Sequence, residues 1–427
     1  MRISLVFSWL IAGVFLTGAL SWAAETDVDR LLEFLIKEKV ITQEKATEFR
    51  ADLAVKKQEE KQPASVPDWV QNVKLKGDFR SRYEFTKNKG QEDNSRARIR
   101  ARIGIEGKVN NRLKAGIGIS TGSSSDPRSR DITLGNQSGA TNTPGSPKTI
   151  ILDYAYGQYT PANWLTLTIG KFQRNLWQPF DTFWDNDLTP EGVGINLTHK
   201  LNSKTELFLN NLFFILKNDS RTDNRPFLEA IQPGVDWAVN NKIQLKSALT
   251  YYLFQHIKGA AKFSDSKSAT SPYTSSGNTL VNGVYKYNYN AIQPSVELSF
   301  KEPLNGLFPY ASIFGDYIYN LSRPQTGRGG FDIGVKFGNE KVSDWSQWQA
   351  KLVYSKLGRD SWLDIITDNN RYGGDTNSKA FEAILEYGLG KNTSLVFDYY
   401  YAKSLSQNST AGRAPEHLFQ VDWNLKF

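Results

Sequence analysis

The stretch Asn94–Val109, NSRARIRARIGIEGKV, admits few folds. Arg96, Arg98, Arg100, Arg102, Glu106 and Lys108 hold even positions, while Ala97, Ile99, Ala101, Ile103 and Ile105 hold odd ones. A two-residue period puts the two sets on opposite faces of a β-strand, whereas a helix would smear the arginines around its circumference. Two environments accept such a strand. In a soluble sandwich the isoleucines enter a core and the arginines face water; in a transmembrane barrel the isoleucines face lipid and the arginines a wet interior. The inverse fails on energy, because each lipid-facing arginine near the bilayer centre costs roughly 2–4 kcal/mol.

The rest of the chain separates these two. From Trp69 onward the alternation continues: Val73, Leu75, Phe79, Tyr83 and Phe85 share one face, and Lys74, Lys76, Asp78, Arg80, Arg82 and Glu84 the other. Strands are predicted near 113–120, 149–160, 164–172, 191–200, 204–217, 230–239, 242–257, 285–300, 307–320, 329–339, 346–357, 379–389, 393–404 and 415–427. With the first two, that makes about sixteen, most of them as long as the roughly 9–11 residues a tilted strand needs to cross a bilayer. Tight turns at 110–111, 161–163, 201–203, 240–241 and 390–392 alternate with polar links at 122–148, 173–190, 218–229, 258–284, 358–378 and 405–414. Only Lys301–Gly306 and Leu321–Gly327 break the alternation. A barrel with short turns at one end and long loops at the other requires this pattern, and a sandwich does not. The fold class is therefore all-β, a transmembrane antiparallel barrel over 69–427 preceded by a short helical segment.

Residues 1–23 read as a signal peptide rather than a membrane anchor: Arg2, an apolar run from Ile3 to Leu20, then the small residues Ser21 and Ala23. Residues 24–68 are a helical segment and linker. Leu31, Leu32, Leu35 and Ile36 recur at helical spacing, and Thr42 is placed to cap a second helix through Phe49 and Leu53. The tail KKQEEKQPASVP has a linker's composition. No second long apolar run follows, so the chain enters a membrane only as a barrel. Cysteine is absent, and such a barrel is closed by backbone hydrogen bonds alone.

The C-terminus runs His417, Phe419, Val421, Trp423, Leu425, Phe427, every second residue. It resembles the terminal strand by which outer-membrane barrels are recognised, with Trp423, Leu425 and Phe427 as the assembly signal. Trp69, Tyr159 and Trp164 at one set of strand ends, and Tyr399 and Tyr401 at the other, fit interfacial girdles. On these features the chain resembles porins of Gram-negative bacteria, in particular the family named Putative porin, with phosphate-selective porins as a relative. The resemblance implies passive diffusion of small hydrophilic solutes, a homotrimer in outer-membrane lipid, insertion by the barrel assembly machinery, and an N-terminal segment in the periplasm. In such porins the loop after the fifth strand folds inward as a constriction; a loop that covers the barrel mouth or caps a neighbour is the equal alternative here. Here that loop carries Trp177, Phe180, Phe183 and Trp184 with Asp181, Asp185 and Asp187. The three aspartates lack the spacing of a calcium loop.

Lys74, Lys76, Arg80, Arg82, Arg96, Arg98, Arg100 and Arg102 are expected on one basic, pore-lining wall, only partly neutralised by Asp78, Glu84 and Glu106. Such a wall favours anions; the alternative is that neighbouring acids pair with the arginines and the ladder merely stiffens the wall. An acidic loop folded in opposite it would set up a transverse field and weaken that preference. Catalysis finds no foothold: three scattered histidines, no phosphate-binding glycine loop and no nucleophile elbow give no catalytic residue, metal site or cofactor. The formal charge of +8 invites a nucleic-acid reading. The cations alternate along strands, however, which suits a lumen wall better. The rival class is a surface adhesin or carbohydrate-binding β-protein, which has no use for Phe427 or the alternating links.

Overall fold

In the computed structural model of the chain, the described residues are 32–60, 72–88, 92–123, 126–135, 144–218, 225–263, 277–322, 324, 327–406 and 414–427. The signal peptide expected at 1–23 lies outside them, as does the expected linker from residue 61 on, whereas residues 56–60 of that linker belong to a helix. The chain divides into two compact units, Met1–Gln71 and Asn72–Phe427.

In the first unit a short helix at 32–37 turns through Lys39 into the helix Gln43–Glu60. Thr42 caps it as expected, its hydroxyl accepting the Lys45 N–H at 3.4 Å. Leu32 and Ala46 are the buried apolar residues of this pair.

The second unit is a closed antiparallel barrel. Its strands are β1 Val73–Asn88, β2 Asn94–Lys108, β3 Leu113–Thr121, β4 Ile150–Ala162, β5 Leu165–Lys171, β6 Glu191–Asn202, β7 Thr205–Ile215 and β8 Phe227–Ala238. They continue as β9 Ile243–Gln255, β10 Ala291–Lys301, β11 Tyr310–Asn320, β12 Gly329–Gly338, β13 Trp348–Leu357, β14 Ser378–Gly390, β15 Thr393–Ser404 and β16 Glu416–Lys426. With the two-residue strand Ile132–Thr133, which pairs beside Arg98 and Ile99, they form one 17-stranded sheet. The sixteen expected strands are all present. The largest boundary error is at 285–300, where β10 starts only at Ala291. Tyr285 and Tyr289 are buried instead in a core inside the barrel, so their apolarity was not that of a lipid face.

Closure lies between β1 and β16, paired from Asp78↔Lys426 to Asn88↔Glu416. Phe427 extends the seam, its backbone exchanging hydrogen bonds of 2.9 and 3.0 Å with Gly77. Trp423 stands edge-on to Phe79 at 6.5 Å and donates to the Thr393 hydroxyl at 3.3 Å, while Leu425 faces both Phe79 and Thr393 in register.

The faces invert the order of a soluble protein. Leu75, Ile103, Ile105, Ile117, Ile119, Ile313, Ile333, Leu352 and Phe397 are exposed on the outside. Gln232, Gln293, Ser312, Asp332 and Gln420 point inward and are buried. Such a strand gains nothing in water and is stable in lipid, where every backbone group is already paired within the closed sheet.

Gly77 leaves the space that the Phe427 ring fills, and a Cβ there would collide with the ring. Gly77→Val should therefore loosen the seam by about 1–3 kcal/mol and lower the temperature at which the fast-migrating folded band converts on unboiled gels. An unchanged conversion temperature would mean the ring does not pack there.

Candidate functional site

The site begins with a conflict in register. β1 and β2 pair Asp78↔Arg102, Arg80↔Arg100, Arg82↔Arg98 and Glu84↔Arg96, so two arginine pairs stand directly opposite each other. Like charges in cross-strand register destabilise a sheet. Acids brought in from elsewhere relieve them. Arg80 bonds Asp131 and lies 3.7 Å from Asp422; Arg82 grips Asp422 through two bonds of 2.7 Å. Arg96 and Arg98 share Glu84, and Arg100 and Arg102 share Asp78 and Asp187. Burial pushes the Asp131 carboxyl up, but Arg80, Arg82 and Arg98 outweigh it and hold the group well below the usual carboxylate range. Asp187 is likewise held low, by Arg100 and Arg102 against its burial.

All six arginines face inward as expected, but the expected partial neutralisation is corrected. Asp131, Asp187 and Asp422 join Asp78 and Glu84, so nearly every positive charge has a carboxylate within 4 Å. Lys76 bonds Glu106 at 2.7 Å, and Lys74 is exposed opposite Glu106 in register.

The loop 172–190 between β5 and β6 lies inside the barrel and crosses it. At one wall Asp187 meets Arg100 and Arg102. At the other, the Trp177 backbone exchanges two 2.8 Å hydrogen bonds with the Gln232 side chain of β8, and Phe180 stacks on Phe314 of β11 at 5.5 Å. Between these anchors Phe183 and Trp184 are buried in the inner core with Trp362 and Ile366. Asp185 accepts from the backbone N–H of Asp187 and of Asn369, and Asp181 accepts from Asn186. The expected inward fold is present. The acids do not all oppose the basic wall, however: Asp187 docks on it. An aspartate two residues from another gave no sequence signal of which would reach an arginine.

A second loop, 358–377 between β13 and β14, also turns inward, which the sequence reading missed. Trp362 donates to the Phe183 carbonyl at 2.6 Å, and Asn278 ties the loop through the Arg359 and Trp362 carbonyls at 2.8 Å each. At its tip Asn370 accepts from Arg82 at 3.3 Å and Gln420 at 3.2 Å. The apolar run SWLDII in this polar link was the available signal.

Three cavities beside these loops border the arginine strands. One of about 710 Å³ is lined by Lys76, Asp78, Arg100, Arg102, Glu106 and Lys426 among others. A second, about 530 Å³, runs between the first loop and β13–β16, past Arg82, Arg174, Asp181, Lys351, Glu382 and Asp398. A third, about 400 Å³, lies by Glu84, Arg96, Arg98, Asp131 and Asn370. The first two share Arg100 and Lys426, and the second and third share Asn370. The inner face thus carries a chain of polar chambers.

The family profile described as Putative porin matches residues 36–92, 85–293 and 287–427. The chain belongs to this family. A structure of Pseudomonas putida OprB is similar with 10% identity and a TM-score of 0.53, covering 84% of this chain and 95% of that one. A triple mutant of the Rhodopseudomonas blastica porin gives 12% identity and a TM-score of 0.43, covering 83% and 100%. No curated protein matches. At such identities the structural likeness speaks for the barrel fold, and the family match makes the protein an outer-membrane channel.

Asp187→Asn should leave Arg100 and Arg102 with Asp78 alone and release that end of this porin's crossing loop. We expect a stability loss of about 1–3 kcal/mol by thermal conversion of the folded band, with noisier open-channel current. A quiet, equally stable variant would show that the wall does not anchor the loop.

Proposed function

We propose that this porin is a passive, water-filled pore for small hydrophilic solutes and ions, with a modest anion preference. The observation that carries it is the set of polar chambers beside both inward loops, neighbouring ones of which border the same side chains, Arg100, Lys426 and Asn370. The anion preference is supported by the first chamber, where Lys76, Lys114 and Lys426 add to Arg100 and Arg102, themselves paired with Asp78 and Asp187, against Glu106 and Asp153. The last of these is already bound to Arg130 at 2.7 Å. Low-dielectric walls focus such a surplus. On the same reading the porin is a trimer in outer-membrane lipid, with residues 24–68 in the periplasm and Trp423, Leu425 and Phe427 recognised by the assembly machinery; membership of the family is what supports it.

Purified protein in a planar bilayer should give stepwise conductance, with a reversal potential on the anion side under a salt gradient at low ionic strength, where screening is least. Absence of steps would refute the pore. Deleting Phe427 should reduce assembled barrel in the outer membrane more than deleting residues 27–60. Equal yields would refute the recognition role.

Asp181 adds a pH dependence. Enclosure, followed by the neighbouring Asp368, pushes its carboxyl up to about 7, against the pull of Lys351 and Arg174. Glu382 and Asp398 line the same chamber. A raised pKa means protonation as pH falls through 7, removing a negative charge. Permeability should therefore tilt further toward anions at pH 6 than at pH 8, and by less in Asp181→Asn, since other carboxylates line the same chamber. A pH response undiminished in that variant would assign the titration elsewhere.

A further inference from the structure

We propose that Arg174 and Lys351, not the arginine ladder of β1 and β2, are the cations a permeating anion meets at the narrow chamber. This rests on the pore reading above and names the residues that set its charge selectivity. The ladder is the obvious candidate from sequence, but its arginines are held by Asp78, Glu84, Asp131, Asp187 and Asp422. A guanidinium and a carboxylate a hydrogen bond apart act on a passing ion as a dipole, whose field falls faster with distance than that of a lone charge.

Arg174 and Lys351 are placed differently. Both line the 530 Å³ chamber, as do the ladder's Arg80, Arg82 and Arg100, but Arg174 and Lys351 are half-buried and neither forms an ion pair or donates a side-chain hydrogen bond among the described residues. Arg174 lies over the face of Trp184, its guanidinium carbon 5.4 Å from a ring centroid, and its Nε is buried with no partner. Trp184 is fixed in the inner core, so the cation is held in position without being neutralised. Burial pulls Arg174 down to about 10, which leaves it charged at neutral pH. Lys351 stands on β13 opposite Ile384 of β14. Both act on Asp181, which places them near the same stretch of the passage.

Acids face these cations. Asp181 sits on the crossing loop, Glu382 and Glu386 on β14, and Asp398 on β15, and all line the chamber. Lys426 lies exposed at the chamber's end, where water screens it. A small anion crossing this chamber meets its unpaired positive charge at these two residues, while the facing carboxylates limit how strongly it is held. The arrangement suits passage because binding stays weak enough for release. The solute class it favours is a small monovalent anion, such as a halide or a short carboxylate.

The test is the chloride-over-potassium permeability ratio from reversal potentials of the full-length protein in planar bilayers. Arg174→Gln and Lys351→Gln should each lower the ratio at least twofold, while Arg174→Lys and Lys351→Arg, which keep the charge, should restore most of it. The paired change Arg82→Gln with Asp422→Asn, a ladder ion pair that lines the same chamber, should lower it by less than either single change. Normal conductance with an unshifted ratio in both glutamine variants, or a larger shift in the ladder pair, would overturn this assignment and leave the pore reading standing. No conductance from any of the proteins, wild type included, would overturn both.

Discussion

Two strands bring arginine opposite arginine, and much of the interior answers that repulsion. Arg80↔Arg100 and Arg82↔Arg98 cannot sit side by side on an enclosed face without counter-charge. The carboxylates come from three places: Asp422 on the strand that closes the barrel, Asp131 on the link after β3, and Asp187 on the crossing loop. The wall thereby fastens the seam and pins two loops at once. Its charge is structural before it is anything else. A partly buried charge cluster of this kind is costly to break from one side, because the partner left behind has no water to replace what it loses.

The crossing loop then organises the remaining space. Fixed at Asp187 on one wall and at Trp177 and Phe180 on the other, it presents Phe183 and Trp184 as a floor for the second loop, whose Trp362 and Ile366 complete an apolar core. That core occupies the side of β6 to β13 and leaves polar chambers along β13–β16 and β1–β2. A barrel whose outer face is apolar thus holds a small soluble-type core within it. The passage is what the core does not fill, so its shape depends on loop packing as much as on strand number.

How much of this is legible in the sequence follows from the range of each interaction. Alternation is local, so β1 to β16 and the inward direction of Arg96 to Arg102 could be read directly from Asn94–Lys108 and its counterparts. The aromatics of the 172–190 loop have no reason to sit in water, but they suit a loop over the barrel mouth as well as one inside it, so the sequence leaves its place open. Counter-charge was not readable: Asp422 is far from Arg82 in sequence, and only the closing register brings them to 2.7 Å. Tyr285 and Tyr289 were misread as strand because an apolar residue bound for an inner core looks like one bound for lipid. Arg174 and Lys351 drew no notice because each is a lone cation, and its lack of a partner is a property of the folded interior alone.

The most direct test of the account is whether a permeating ion passes beside the crossing loop. The chain has no cysteine, so one introduced thiol is unambiguous. Asn186 is exposed on that loop and lines the 530 Å³ chamber. With Asn186→Cys reconstituted in a planar bilayer, a charged membrane-impermeant thiol reagent should reduce the current of each open channel in discrete steps, and leave wild type untouched. Complete labelling of the thiol with no change in single-channel current would place the loop away from the conducting path and contradict the account.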